Sequence, residues 1–288
     1  MKHKKWRVPL ICAGLLLMFV LWVIWGNQAV KTTVYHIHDP KLPAGFGGYR
    51  IAQISDLHNA EFGHDNQTLL DILPQQKPDL ILFTGDFVDS DHTDVGSALS
   101  FAEKAADIAP CYFVPGNHEA WLGSTYLDME TQLEACGVTV LRNEAVSLER
   151  HGDTIALVGI DDPDFVESGS GMFDISDAIV SKEISSAGCK DSYRILLSHR
   201  PETFPTYVEQ GVNLTFAGHA HGGQFRFPFV GGLVAPNQGL FPKYDSGIYS
   251  QGDSTMVVSR GLGNSIIPFR INNRPEVVIA ILHSGTGA

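Results

Sequence analysis

Residues able to bind metal ions recur at five places in this chain, each just after a short apolar run. They are Asp56-Leu57-His58, Gly85-Asp86, Gly116-Asn117-His118-Glu119, His199, and Gly218-His219-Ala220-His221-Gly222-Gly223-Gln224. Neutral imidazoles are common metal ligands. In an extended segment His219 and His221 would point to one side, and the glycines around them permit a tight turn. Two imidazoles do not complete a site, so the other clusters must supply the rest. Carboxylate oxygens with imidazole nitrogens suit Mn, Fe or Zn. Two such ions about 3.5–4 Å apart need a shared ligand. Asp86, alone at the end of the middle run, is the best placed carboxylate to bridge them.

Residues 50–55, 79–84 and 111–114 read as strands, and helical periods fill the gaps at 66–75 and 95–106. Right-handed crossovers would set these strands parallel. Ligands of such sheets bind beyond the carboxyl ends of the strands, so the polar clusters would converge there. A further helix is predicted over 126–136, with short strands at 138–141, 145–149 and 154–160. The acidic, glycine-rich stretch 161–171 reads as a loop and 175–186 as a helix. Strands at 193–197 and 212–217 would then deliver His199 and the histidine pair, with late strands at 255–259 and 277–283. These elements make an α/β protein of two sheets packed face to face, with helices on the outer faces.

The chain has 288 residues and a formal net charge of −12. Its length suits one catalytic domain, and its acidity argues against a nucleic-acid partner. The N-terminus differs: Lys2, Lys4, Lys5 and Arg7 precede an uncharged apolar run from Val8 to Trp25. As a helix the run would span ~27 Å, close to the hydrocarbon thickness of a bilayer. It exceeds a usual signal-peptide core, and Asn27-Gln28-Ala29 is a poor cleavage site. We therefore expect residues 1–26 to be an uncleaved membrane anchor, 27–49 a connector and 50–288 the catalytic domain. Basic residues retained inside would place that domain outside the cytoplasmic membrane, a single-pass, extracytoplasmic topology. Cys111, Cys136 and Cys189, the cysteines outside the anchor, make neither a disulfide framework nor a thiolate metal site. His36 and His38 read as surface or edge residues of a strand.

The ordered set Asp-x-His, Gly-Asp, Gly-Asn-His-Glu, His and Gly-His-x-His, from Arg50 to Gln224, resembles the calcineurin-like metallophosphoesterases. Ser198-His199-Arg200-Pro201-Glu202, Gly222-Gly223-Gln224 and Arg274-Pro275-Glu276 are similar to the membrane-anchored bacterial branch of that family. The resemblance implies a four-layer α/β/β/α sandwich and two divalent metal ions. Asp56, His58 and His221 would hold one, Asn117, His199 and His219 the other, with Asp86 bridging. His118 would be the catalytic, non-ligand histidine at the leaving oxygen. The implied reaction is hydrolysis of a phosphoester by a metal-bridging hydroxide. No covalent enzyme intermediate is required.

The preferred substrate is a phosphodiester or pyrophosphate of a lipid or cell-envelope intermediate. A phosphomonoesterase on small substrates, or a metal-binding envelope module without turnover, is the alternative. Nothing in the chain calls for an obligate protein partner. Arg200 could meet a substrate phosphate or anchor a loop, and Asn264 is a similar candidate. Glu119 reads as structural, and Asp89 and Asp91 as turn residues. After the histidines, Phe225, Phe227, Phe229, Leu233, Phe241, Tyr244, Ile248 and Tyr249 punctuate a loop rich in Gly and Pro. Such aromatics commonly pack inward as a lid; the sharper expectation is an apolar rim for a lipid-linked ester.

Overall fold

The structure, a computed structural model, describes residues 7–166 and 177–285. Lys2, Lys4, Lys5, the end of the loop expected over 161–171 and the start of the helix expected at 175 lie outside the described residues. In chain order the elements are α1 (Arg7–Gln28), β1 (Lys31–Asp39), β2 (Arg50–Ile54), α2 (Gln67–Gln76), β3 (Leu80–Thr84), α3 (Val95–Ala106) and β4 (Cys111–Val114). There follow α4 (Asn117–Trp121), α5 (Ser124–Ala135), β5 (Val138–Val140), β6 (Glu144–Arg150), β7 (Asp153–Gly159), α6 (Asp177–Ala187) and β8 (Arg194–Leu197). The chain continues through α7 (Phe204–Glu209), β9 (Leu214–Ala217) and four two-residue strands, β10 (Arg226–Phe227), β11 (Gly231–Gly232), β12 (Val234–Ala235) and β13 (Gly239–Leu240). It closes with β14 (Gly247–Gln251), β15 (Ser254–Val258) and β16 (Glu276–Ser284).

Two six-stranded sheets carry the fold, ordered β1-β16-β2-β3-β4-β5 and β14-β15-β9-β8-β7-β6. The run β2-β3-β4-β5 is parallel, as are β7-β8-β9-β15. β3 shows why its sequence is apolar from Leu80 to Phe83, before Thr84 at its end. Its alternate residues face opposite ways: Leu80 and Leu82 join the core between the sheets, while Ile81 and Phe83 pack beneath the helices. A strand covered on both faces reads as a nearly continuous apolar run.

The core between the sheets includes Ile51, Leu157, Ile195, Phe216 and Val278. Outside the first sheet, Leu69 and Leu73 of α2, Phe101 of α3, and Met129 and Leu133 of α5 form a second core. Outside the second sheet, Val180 and Ile184 of α6 pack with Tyr207 of α7. Each fully buried side chain of this kind contributes about 1.5–3 kcal/mol. The layers are therefore α/β/β/α. Asp94 caps α3 by accepting from the backbone N–H of Ser97 at 3.1 Å, where the helical period begins.

Residues 27–49 are not a free connector. β1 pairs in parallel with β16 along its whole length and forms an edge of the first sheet. Its alternation is weak, because an edge strand has one paired side and polar residues such as Thr32 and Thr33 fit it equally well. His36 and His38 are exposed on that edge, where His283 of β16 stacks on both rings. α1 extends to Gln28, and an 18-residue window within Val8–Gln28 has a mean hydropathy of 2.5 with none of its residues buried against the protein. By length and composition this helix could span a membrane.

The sheets meet at one end through a contact that only glycine allows. A Cβ on Gly218, after β9, would fall 1.9 Å from Ser55 Oγ and 2.6 Å from Asp56 Oδ2, after β2. The loops of the two sheets are thereby pressed together around the polar clusters.

Candidate metal centre

β2, β3 and β4 of the first sheet and β8 and β9 of the second all end here. Asp56, His58, Asp86, Asn117, His118, His199, His219 and His221 are all buried. Beside a group of His58, Asp89 and His118, two groups of ligand atoms converge, each within 4.8 Å of one another: Asp56, His58, Asp86 and His221, and Asp86, His199 and His219. Asp86 belongs to both. Its Oδ1 accepts from the backbone N–H of His118 at 2.9 Å. Its Oδ2 lies 3.0 Å from His199 Nε2 and 3.5 Å from His58 Nε2.

The other side chains are oriented by bonds on their far sides. His199 Nδ1 donates to the carbonyl of Thr84 at 2.8 Å, which leaves Nε2 facing the centre. His219 Nε2 is 2.8 Å from Asn237 Oδ1, so its Nδ1 faces His199 Nε2 at 3.1 Å. His58 Nε2 and His221 Nε2 are 3.2 Å apart, and Asp56 Oδ1 is 3.6 Å from His221 Nε2. Asn117 follows Gly116, where a Cβ would fall 2.3 Å from Asp86 Oδ1. Far-side partners of this kind fix the tautomer and aim of a metal-binding imidazole.

The histidine pair does not sit on an extended segment, as its spacing suggested. His219 and His221 have φ of 64° and 47°, and Ala220 between them is helical. The alternation of left- and right-handed residues turns both rings inward. Asp56, His58 and Asp86 also have positive φ. Each such residue costs on the order of 1–3 kcal/mol, and such strain clusters at functional sites. Cross-loop bonds hold it in place: Asp56 N–H donates to Gly85 O and His58 N–H to Asp86 O, both at 3.0 Å.

Glu119 is structural here. Its carboxylate accepts from the backbone N–H groups of Asp86, Phe87, Val88 and Gly116 and so moulds the turn that presents Asp86. Burial, then Asp86, pushes it up to about 7. Asp89 is more than a turn residue: its Oδ2 lies 3.6 Å from His58 Nδ1 and 3.8 Å from His118 Nδ1. Asp91 donates its N–H to Asp89 Oδ1 within that turn. Ser90, Asn237 and Ser265 also touch the site's imidazoles, and no local pattern marks them in the sequence.

Arg200 is buried, with donors directed to Asp162 at 2.6 and 2.8 Å and to Asn237 at 2.7 Å, while its Nη1 lies 3.0 Å from His219 Nε2. Asn264 Oδ1 accepts from Gln224 and Arg270, each at 3.2 Å. Arg270 in turn approaches His221 Nδ1 at 3.3 Å.

The electrostatics favour bound cations. Burial opposes the charge of Asp86, yet His199 and His118 hold it well below the usual carboxylate range. Burial pushes Asp56 up, with His199 opposing. His219 and His221 are held well below the usual imidazole value, chiefly by burial and then by Arg200 and His58 respectively, and so are neutral. Asp56 Oδ2 and Asn117 Oδ1 are buried without a hydrogen-bond partner. Unpaired buried oxygens are costly, and a cation relieves that cost, so these residues fit divalent metal.

Comparison with known proteins agrees. The model of the calcineurin-like phosphoesterase family matches residues 49–223. The uncharacterized metallophosphoesterase YkuE of Bacillus subtilis is 31% identical over 267 residues, covering 88% of this chain and 86% of the relative. The phosphodiesterase YaeI of Escherichia coli is 32% identical over 245 residues, covering 80% and 81%. The crystal structure of TT1561 from Thermus thermophilus covers 74% of this chain and 90% of its own, with a TM-score of 0.50 at 13% identity, a likeness of fold. The chain belongs to the calcineurin-like phosphoesterase family. It is a metal-dependent phosphoester hydrolase with a cluster of Asp and His residues able to bind metal ions.

Proposed function

We propose that the centre holds two divalent cations and hydrolyses a phosphodiester or pyrophosphate bond of a lipid or cell-envelope substrate outside the membrane. The observation that carries this reading is Asp86 Oδ2, which faces both ligand groups. Asp56, His58 and His221 would hold one ion, and Asn117, His199 and His219 the other, with Asp86 bridging. Bound there, Mn, Fe or Zn would supply a nucleophile from water near neutral pH and neutralise charge on the phosphoryl oxygens.

His118 supplies the leaving-group proton. The backbone N–H of Ser90 donates to His118 Nδ1 at 3.0 Å, so the ring proton resides on Nε2. That proton points to Ser265 Oγ, 3.1 Å away, on the loop after β15. Burial, then His58, lowers the His118 imidazole despite Asp86. A neutral ring still donates from Nε2 to a departing oxygen. Arg200, saturated by Asp162 and Asn237, serves as the anchor of the loop behind His219, and Asn264 positions Arg270 and Gln224.

The segment after the histidines supports an apolar substrate. Tyr244 is buried and Tyr249 half-buried, but Phe227, Phe229 and Phe241 are exposed, as is Ile266 on the loop beside them. An exposed apolar rim of this kind marks a binding surface. Phosphodiesterase activity in the relative YaeI supports the diester. The test is hydrolysis of a chromogenic phosphodiester and monoester by chelated protein before and after Mn²⁺ is restored, and of micellar against soluble diesters. Activity indifferent to chelation would sink the metal reading; equal rates on micellar and soluble esters would sink the lipid one.

A further inference from the structure

The end of α1 is fastened to the catalytic domain. Asn27 Nδ2 donates to Arg270 O at 2.9 Å, and Arg270 N–H donates back to Asn27 Oδ1 at 2.8 Å. Arg274 donates to the carbonyls of Ala29 and Val30 at 2.7 and 3.0 Å and lies over the Trp25 ring, 5.0 Å from its centroid. Between helix and domain lies a cavity of about 180 Å³, bordered by Trp22 and Trp25 on one side and by Lys31, Arg260, Arg270 and Arg274 on the other.

Four cations around one cavity are unexpected in a chain of net charge −12. Arg274 is accounted for by the carbonyls at the helix end, and Arg270 by the carbonyls of Arg260 and Gly263. Lys31 is not, and Arg260 is paired only with Glu276. The Lys31 ammonium has no hydrogen-bond or ion-pair partner among the described residues. Arg260 Nε is buried without a hydrogen bond, with Glu276 Oε1 3.9 Å away. Arg and Lys gathered about a small cavity suit a phosphate, whose several oxygens match guanidinium donors. The tryptophans set the level: Trp at the end of a span sits among lipid headgroups.

We propose that this cavity binds the phosphate of an anionic membrane lipid. Its volume suits a headgroup phosphate, and the acyl chains would lie along the exposed face of α1. The site is separate from the metal centre but touches its frame, since Asn273, also in the cavity wall, donates to the His221 carbonyl at 2.7 Å. The proposal rests on α1 spanning a membrane and not on the substrate hydrolysed.

The test uses the full chain reconstituted with phosphatidylcholine vesicles, with or without phosphatidylglycerol, followed by native mass spectrometry of lipid retained after extraction into detergent. Wild type should retain phosphatidylglycerol over phosphatidylcholine, and Lys31→Gln with Arg260→Gln should reduce that preference by about tenfold, the loss of two phosphate contacts. Lys31→Gln alone, at a half-exposed position, should reduce it in part and guards against misfolding of the double variant. Equal retention of both lipids, or a preference unchanged in both variants, overturns the proposal. Displacement of the lipid by equimolar glycerol phosphate would assign the cavity to a soluble phosphate and overturn the lipid. A chain that floats with neither vesicle overturns the membrane span, a failure visible before any lipid is counted.

Discussion

His118 donates its backbone N–H to Asp86 Oδ1 at 2.9 Å, so the residue proposed to protonate the leaving oxygen also aims the carboxylate proposed to bridge the ions. The contact to Asp86 is made by the main chain of His118, while its ring meets Ser90 at Nδ1 and Ser265 at Nε2.

Asp86→Asn should therefore remove both ions, whereas Asp56→Asn should remove one. Metal content measured by plasma mass spectrometry distinguishes them. Loss of both ions should lower kcat/KM by roughly 10³-fold or more, since bound ions supply several kcal/mol to the transition state. Equal metal loss in the two variants would refute the bridging role of Asp86.

His118→Ala should keep the metal content and lose about 10²- to 10⁴-fold in kcat. The loss should grow with the pKa of the leaving group, seen as a steeper dependence across a series of aryl diesters. A variant that loses metal instead would make His118 a ligand.

Metal binding should release a proton. Burial opposes a charged His199, but Asp86 outweighs it and raises the imidazole from 6.5 to about 10 in the metal-free protein. An entering ion must displace that proton, so affinity should rise by about tenfold per pH unit below that value. Calorimetry in buffers of different ionisation enthalpy measures the proton directly. For the metal-free fold the sign is opposite: His199 stabilises fully below about 6.5, and the contribution is lost as pH rises toward 10.

Arg200→Ala should lower stability by roughly 3 kcal/mol by stranding buried Asp162, measured by urea denaturation. As a loop anchor Arg200 should leave KM for a diester nearly unchanged. A large rise in KM with intact stability would instead make it a phosphate contact.

Much of the fold was legible because strands buried on both faces must be apolar and their ends must turn polar. α3 and β4 fall where the periodicity places them, and the cluster residues follow the strands expected to carry them. β1 was harder, because an edge strand carries little alternation, and it pairs with a partner more than two hundred residues away. β14, also an edge, was missed for the same reason. The aromatic segment divided: Tyr244 packs inward as a lid would, while Phe229 stands in solvent. Which aromatic turns inward depends on what lies beneath it, and composition does not contain that.

As candidates, Asp56, His58, Asp86, Asn117, His118, His199, His219 and His221 could be picked from the sequence itself, since ligand chemistry restricts the residue types and strand ends restrict their places. Their convergence was decided only in three dimensions, by the glycine contact of Gly218 against Ser55 and Asp56 and by left-handed turns at His219 and His221. The partners Asp89, Ser90, Asn237 and Ser265 likewise belong to the tertiary structure. Their side chains are common turn residues, and distance to an imidazole is what gives each its role.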